Sequence, residues 1–215
     1  MLQTSFFICL GYLSGSVLYA RVFAGIFNRE DMFLQSGDHN PGTANAFLYG
    51  GFWCGLFTLI FDILKGFLPV FLFMRWGHPG KADPFLAALV IAAPVIGHIF
   101  PLFYRFEGGK GIAVTFGSLA GLYPALDSLW ILAFFFIAFS TVVKITPHFY
   151  RTIFSYAFSL LAIFRKIESP EITLGFLIIT GAVLIRLHTS KESRSRWEVK
   201  LFGCFNTFVR DRRRT

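Results

Sequence analysis

Residues 97–115 join two apolar runs and read Gly-His-Ile-Phe-Pro-Leu-Phe-Tyr-Arg-Phe-Glu-Gly-Gly-Lys-Gly-Ile-Ala-Val-Thr. His98, Arg105 and Lys110 are polar groups in this stretch, and Gly108, Gly109 and Gly111 surround the lysine. Glycine has no Cβ, so such a backbone can curl and turn its N–H groups toward an anion. The lysine adds a full positive charge at the same spot. The chemistry this suggests is the holding of a phosphate; the plainer reading is a tight turn. It is not a Walker A loop, because Gly111 stands where that motif needs Ser or Thr, and no glycine lies five residues before Gly109.

A second polar run, Gly-Asp-His-Asn-Pro-Gly-Thr-Ala-Asn, occupies residues 37–45. Asn40, Thr43 and Asn45 can donate hydrogen bonds to phosphate oxygens or to a sugar alcohol. The same run could be an Asx-rich turn capping the helix that follows. Asp62 and Lys65 are three residues apart within an apolar run, which puts them on one helix face. An ionised group in hydrocarbon costs about 2.5–3.5 kcal/mol on insertion scales, so such groups pair or line a polar cavity. We read them as a structural intramembrane pair. Among the histidines, His98 precedes the glycine loop and His188 ends the last apolar run, whereas His78 and His148 read as surface-loop residues. The string from His78 to Asp83 has the His-x4-Asp spacing of one acyltransferase signature, but it lies far from every other candidate. No Ser-His-Asp spacing or nucleophile elbow is present. Acyl transfer by this chain would therefore be direct, from an activated donor to an alcohol.

These residues must be held by membrane helices. Of the 215 residues, 55% are hydrophobic and 29 are Phe, and the mean hydropathy is +0.62. A soluble domain is about 45–50% apolar with glycine included; this chain exceeds that without its 20 Gly. A membrane span needs roughly 20 apolar residues. Candidate spans are 6–27, 46–74, 84–103, 112–123, 127–143, 152–164 and 171–187, the fourth and sixth being short. We expect an all-α integral membrane protein of about seven transmembrane helices. No Lys or Arg precedes Arg21, so the first run reads as a retained helix and not as a cleaved signal. Cys9, Cys54 and Cys204 show no metal spacing, and no metal or other cofactor is expected.

Net charge is +8, and nine of the 20 Lys and Arg fall from Arg186 onward. After a membrane helix, a basic tail reads as a cytoplasmic anchor and a contact for anionic lipid, and not as a nucleic-acid site. The expected division is a membrane domain at 1–190 and a basic cytoplasmic tail at 191–215. With the C-terminus inside, seven spans put the N-terminus outside. Residues 28–45, 104–111 and 144–151 then share the inner face with the tail, where they can converge on one site.

Taken together, the motifs resemble the bacterial acyl-phosphate:glycerol-3-phosphate acyltransferases of the PlsY type. Residues 11–16, Gly-Tyr-Leu-Ser-Gly-Ser, resemble the family's first-helix motif. Residues 40–45, Asn-Pro-Gly-Thr-Ala-Asn, resemble its Asn-x-Gly-Ala-Thr-Asn, with Thr and Ala exchanged. Asp62, Lys65, Gly66 and Pro69 match its Asp-x-x-Lys-Gly helix, and residues 97–100 and 106–113 match its second cytoplasmic motif. His188 and Arg194 fall where its third motif places them. The resemblance implies a PlsY-like fold in the bacterial inner membrane, acyl phosphate as donor and glycerol 3-phosphate as acceptor. It implies no coenzyme A and a lysophosphatidate product made for phospholipid synthesis. It also implies that Lys110, Asn45 and His188 are catalytic. Binding would then fall to Gly108, Gly109, Lys110, Gly111, His98, Asn40, Thr43, Asn45 and Arg194. Five positions depart from the pattern. Leu34 and Leu48 replace arginines, Asp38 a serine, Lys191 an asparagine and Glu107 a lysine. These leave open a different polyol phosphate acceptor, or a non-catalytic protein of the same fold that binds lipid or a partner.

Overall fold

A computed structural model describes residues 1–38, 40–190, 196 and 198–201. The first apolar run forms two helices, α1 (Leu2–Gly15) and α2 (Tyr19–Ile26). After a short α3 (Met32–Gln35), the second run forms α4 (Thr43–Gly50) and α5 (Phe52–Trp76). Then come α6 (Pro84–Ile99), α7 (Ile112–Ala120), α8 (Asp127–Ile137), α9 (His148–Lys166) and α10 (Pro170–Thr189). A π-helical turn, Ala138–Val142, extends α8 into strand β1 (Val143–Thr146). The strand pairs antiparallel with β2 (Glu198–Leu201), Val143 opposite Leu201 and Thr146 opposite Glu198.

Several boundaries follow from local chemistry. Asp83 caps α6 by accepting from the N–H groups of Phe85 and Leu86, and Pro84 starts the helix where a missing N–H is harmless. Pro170 starts α10 in the same way. Gly51 has φ +88° and separates α4 from α5; a residue with a Cβ rarely adopts that conformation.

The described residues form ten α-helices, against about seven membrane spans expected. The first two expected spans are each broken in two. Four stretches are long and apolar enough to cross a membrane: Leu2–Ile26, Phe52–Trp76, Pro84–Tyr104 and Pro170–Thr189. The nine-residue α7 rises only about 14 Å, against a hydrocarbon core of roughly 30 Å. The sixth segment is longer than expected, because α9 begins at His148 and runs to Lys166. Beyond residue 190, strand β2 pairs with β1.

The largely buried α6 is the central helix, packed by α1 and α10. Close approach depends on glycine. A Cβ on Gly15 would sit 2.0 Å from the Pro94 carbonyl oxygen, and one on Gly97 would sit 2.2 Å from that of Tyr12. Between α5 and α7 the pair is Gly66, against the Val114 carbonyl, and Gly117, against that of Ile63. Small residues let helix backbones touch where lipid gives no hydrophobic drive for association. Inside, Ile91, Val95, Ile99, Val114, Tyr156, Phe176 and Val183 form one core cluster. Outside, Phe61, Leu68, Trp130, Phe134, Phe164 and Leu184 are exposed, as a lipid-facing surface requires.

Helix directions bring the polar segments to one end. The Gln3 side chain donates to the Trp76 carbonyl at 2.6 Å, and the Ser14 hydroxyl to that of Lys65 at 3.0 Å, so α1 and α5 are antiparallel. Gly175 packs on Ala88 and Ile91, while Arg186 reaches Gly108, so α6 and α10 are parallel. The Arg21 guanidinium lies over the rings of both Phe33 and Tyr104, 5.0 and 5.6 Å from their centroids. The segments around residues 28–45, 100–111 and 143–148 therefore meet, as the sequence suggests.

Candidate active site

At that end lies a cavity of about 350 Å³. The start of α4 contributes Asn40, Thr43 and Asn45; α5 contributes Leu59 and Asp62; α6 contributes His98. Lys110, Gly111, Ile112 and Phe116 close another side, and His148 comes from the start of α9. The structure thus brings together six residues expected at the site: His98, Lys110, Gly111, Asn40, Thr43 and Asn45.

Beneath the cavity is a buried ionic cluster. Lys65 Nζ lies 2.8 Å from Asp62 Oδ1, donates to the Val17 carbonyl at 2.6 Å and lies 2.8 Å from His98 Nδ1. The interruption between α1 and α2 is what leaves the Val17 carbonyl available. Ammonium nitrogens only donate, so His98 Nδ1 accepts and the imidazole proton sits on Nε2. Thr43 donates its hydroxyl to Asp62 Oδ2 at 3.2 Å, tying the start of α4 to the cluster. The expected pair is therefore the centre of a larger network that includes a cavity-lining histidine. A break in a membrane helix is tolerated where the freed backbone groups find partners inside the protein.

Lys110 Nζ stands 3.1 Å from Asp38 Oδ2. Asp38 Oδ1 accepts from the Asn45 amide at 2.7 Å and from the Asn40 N–H at 3.2 Å. Burial alone would push the Asp38 carboxyl up; the Asn45 hydrogen bond, the Lys110 charge and the Asn40 N–H outweigh it and hold the group below its ordinary value. Asp38 and three of its neighbours thus form a satisfied anion site at the cavity wall.

Other expected residues lie elsewhere. Gly108 and Gly109 do not line the cavity, and their N–H groups donate to the carbonyls of Ile99 and His98 at 3.2 and 3.1 Å. These amides fasten the loop to the end of α6. A Cβ on Gly109 would sit 2.1 Å from His98 Nε2, so the glycine makes room for the imidazole. His188 is exposed near the end of α10 and does not line the cavity. Two residues earlier, Arg186 donates to the Gly108 carbonyl at 2.6 Å and braces the loop from α10. Arg194, Lys191 and residues 202–215 of the basic tail lie outside the described residues. Leu34 and Leu48 are 81% and 74% exposed, and neither lines the cavity.

Sequence reasoning missed His148, read as a surface residue. It lines the cavity, with Nδ1 2.9 Å from Thr152 Oγ1 one turn along α9. The only local signal is that pairing at four-residue spacing, which does not reveal what α9 packs beside.

The family model described as glycerol-3-phosphate acyltransferase matches residues 5–196. This chain belongs to that family. The glycerol-3-phosphate acyltransferase of Cupriavidus pinatubonensis is 34% identical over 87% of this chain and 94% of its own length. That of Pseudoalteromonas translucida is 36% identical over 90% of this chain and 89% of its own length. The crystal structure of PlsY (YgiH), an integral membrane glycerol 3-phosphate acyltransferase, in its glycerol 3-phosphate form, superposes with a TM-score of 0.69. It covers 85% of this chain and 87% of the other at 23% identity, which speaks for the fold alone. This acyltransferase family member is a multi-pass membrane protein.

Proposed function

We propose that this chain transfers a fatty acyl group from acyl phosphate to glycerol 3-phosphate, giving lysophosphatidate for phospholipid synthesis. The observation that carries the reading is the convergence of Lys110, Asn45, Asn40 and Thr43 on one cavity at the end of a membrane bundle. The setting is the bacterial cytoplasmic membrane, with the cavity facing the cytosol, the N-terminus outside and the basic tail against anionic lipid.

An acyl phosphate is a mixed anhydride that carries its own leaving group. The acceptor hydroxyl oxygen attacks the carbonyl carbon, the bond from that carbon to the phosphate oxygen breaks, and phosphate departs. The hydroxyl proton passes to the departing phosphate or to His148. The Thr43 hydroxyl is committed to Asp62, so it is not a free nucleophile. The chain's work is to position two phosphates and stabilise the charge that moves onto the leaving group. Lys110 supplies a point charge on a flexible stem, and Asn45 a directed donor.

Purified protein in detergent, given acyl phosphate and labelled glycerol 3-phosphate, should form lysophosphatidate and release phosphate. Lys110→Ala should lower kcat/KM by about 100-fold or more, the range seen when one charge-stabilising group is removed. No product from an intact donor would overturn the reading.

A further inference from the structure

We propose that the Asp38 carboxylate is a built-in occupant of the acceptor's phosphate position, and that it sets which anions the site accepts. The inference rests on the acyl-transfer reading for the name of the acceptor, but not for the binding it describes. Three donors of different origin converge on one carboxylate: the Lys110 ammonium at 3.1 Å, the Asn45 amide at 2.7 Å and the Asn40 N–H at 3.2 Å. The Asn40 contact is a local turn, spanning two residues. The other two reach across, from α4 and from the glycine loop. Lys110, Asn45 and Asn40 also line the cavity, where an incoming acceptor must lie. The Lys110 and Asp38 side chains are only 12% and 14% exposed, so water does little to screen the contact.

A phosphate monoester offers the same donors more. It has three terminal oxygens against two, and close to two negative charges against one. Such a dianion can displace the carboxylate, whereas a monoanion of similar size has no electrostatic advantage over it. Asp38 therefore weakens every anion by the same factor, and a monoanion, the weaker ligand from the start, is the first to fall below useful affinity. The apparent affinity of a site falls by the fraction of molecules in which it is open. A carboxylate that holds the donors about 90% of the time raises the apparent Kd about tenfold. The serine of the related pattern would leave the donors open to either kind of anion.

The test uses the full chain in detergent, with Asp38→Asn and Asp38→Ser as neutral variants and Asp38→Glu as the variant that keeps the charge. Thermal protection is titrated with glycerol 3-phosphate and with glycerate, a three-carbon monoanion. In both neutral variants the half-maximal concentration should fall about tenfold for glycerol 3-phosphate and by the same factor for glycerate, the weaker ligand throughout. Asp38→Glu should behave as the parent. In turnover assays the KM for glycerol 3-phosphate should fall in both neutral variants. Weaker or unchanged binding in folded Asp38→Asn and Asp38→Ser would overturn the proposal and make Asp38 a residue that orients Lys110. If the protection shifts as expected while no variant forms lysophosphatidate, the acyl-transfer reading fails and the anion-site proposal stands.

Discussion

Lys65 holds more of the site together than its position in the sequence suggests. Its ammonium touches Asp62, the Val17 carbonyl and His98, and lies 5.5 Å from the centroid of the Tyr19 ring. Those partners belong to α5, to the gap between α1 and α2, to α6 and to α2. Removing one member of a buried ion pair leaves an uncompensated charge, at a cost of about 3–5 kcal/mol. Lys65→Met should therefore destabilise the folded protein by about that much, read as a fall in melting temperature in detergent. Asp62→Asn added to it should recover part of the loss, because the stranded carboxylate is gone. The ion pair was legible from three-residue spacing in an apolar run. The third partner, His98, was not, because nothing local links residues 33 positions apart. Lys110 was legible as a cation among glycines, but the partners of Gly108 and Gly109 were not. Whether a glycine frees an amide for a ligand or lets backbone press on an imidazole depends on what packs there.

Helix contacts in this molecule rest on missing side chains. A Cβ on Gly117 would meet the Ile63 carbonyl oxygen at 2.1 Å, so α5 and α7 would have to separate. Gly117→Ala should destabilise by about 1–3 kcal/mol, as overpacking does. Gly181, on α10, has nothing within 4 Å of the same construction. Gly181→Ala should stabilise by about 0.5–1 kcal/mol through the loss of backbone freedom in the unfolded chain. Melting temperatures of the two variants, moving in opposite directions, check both. The apolar runs themselves were readable from composition, and so were the starts of α6 and α10 at Pro84 and Pro170. The break at residues 16–18 was not. It contains no proline, and it persists because Lys65 and the rest of the bundle satisfy the freed carbonyl. Nor does a run of apolar residues show that α7 ends after nine.

At the scale of the whole bundle, alternating helix directions gather the loop before α4, the glycine loop and the start of α9 at one end. Single cysteines at positions 37 and 105 should be labelled by a membrane-impermeant reagent from the same side of sealed vesicles, and a cysteine at position 80 from the other. Labelling of positions 37 and 80 from one side would overturn the arrangement. Placing those segments together was possible from the sequence, because Lys and Arg mark the loops. Which side chains turn inward was not: His148 lines the cavity and His188 does not. A cavity confined to one end of a membrane bundle has a consequence for the bilayer. A product formed there has its phosphate at one water boundary and its new chain in the adjoining half of the membrane. Every molecule made by this chain would then enter a single leaflet, and growth of the opposite leaflet would depend on lipid being carried across by other machinery.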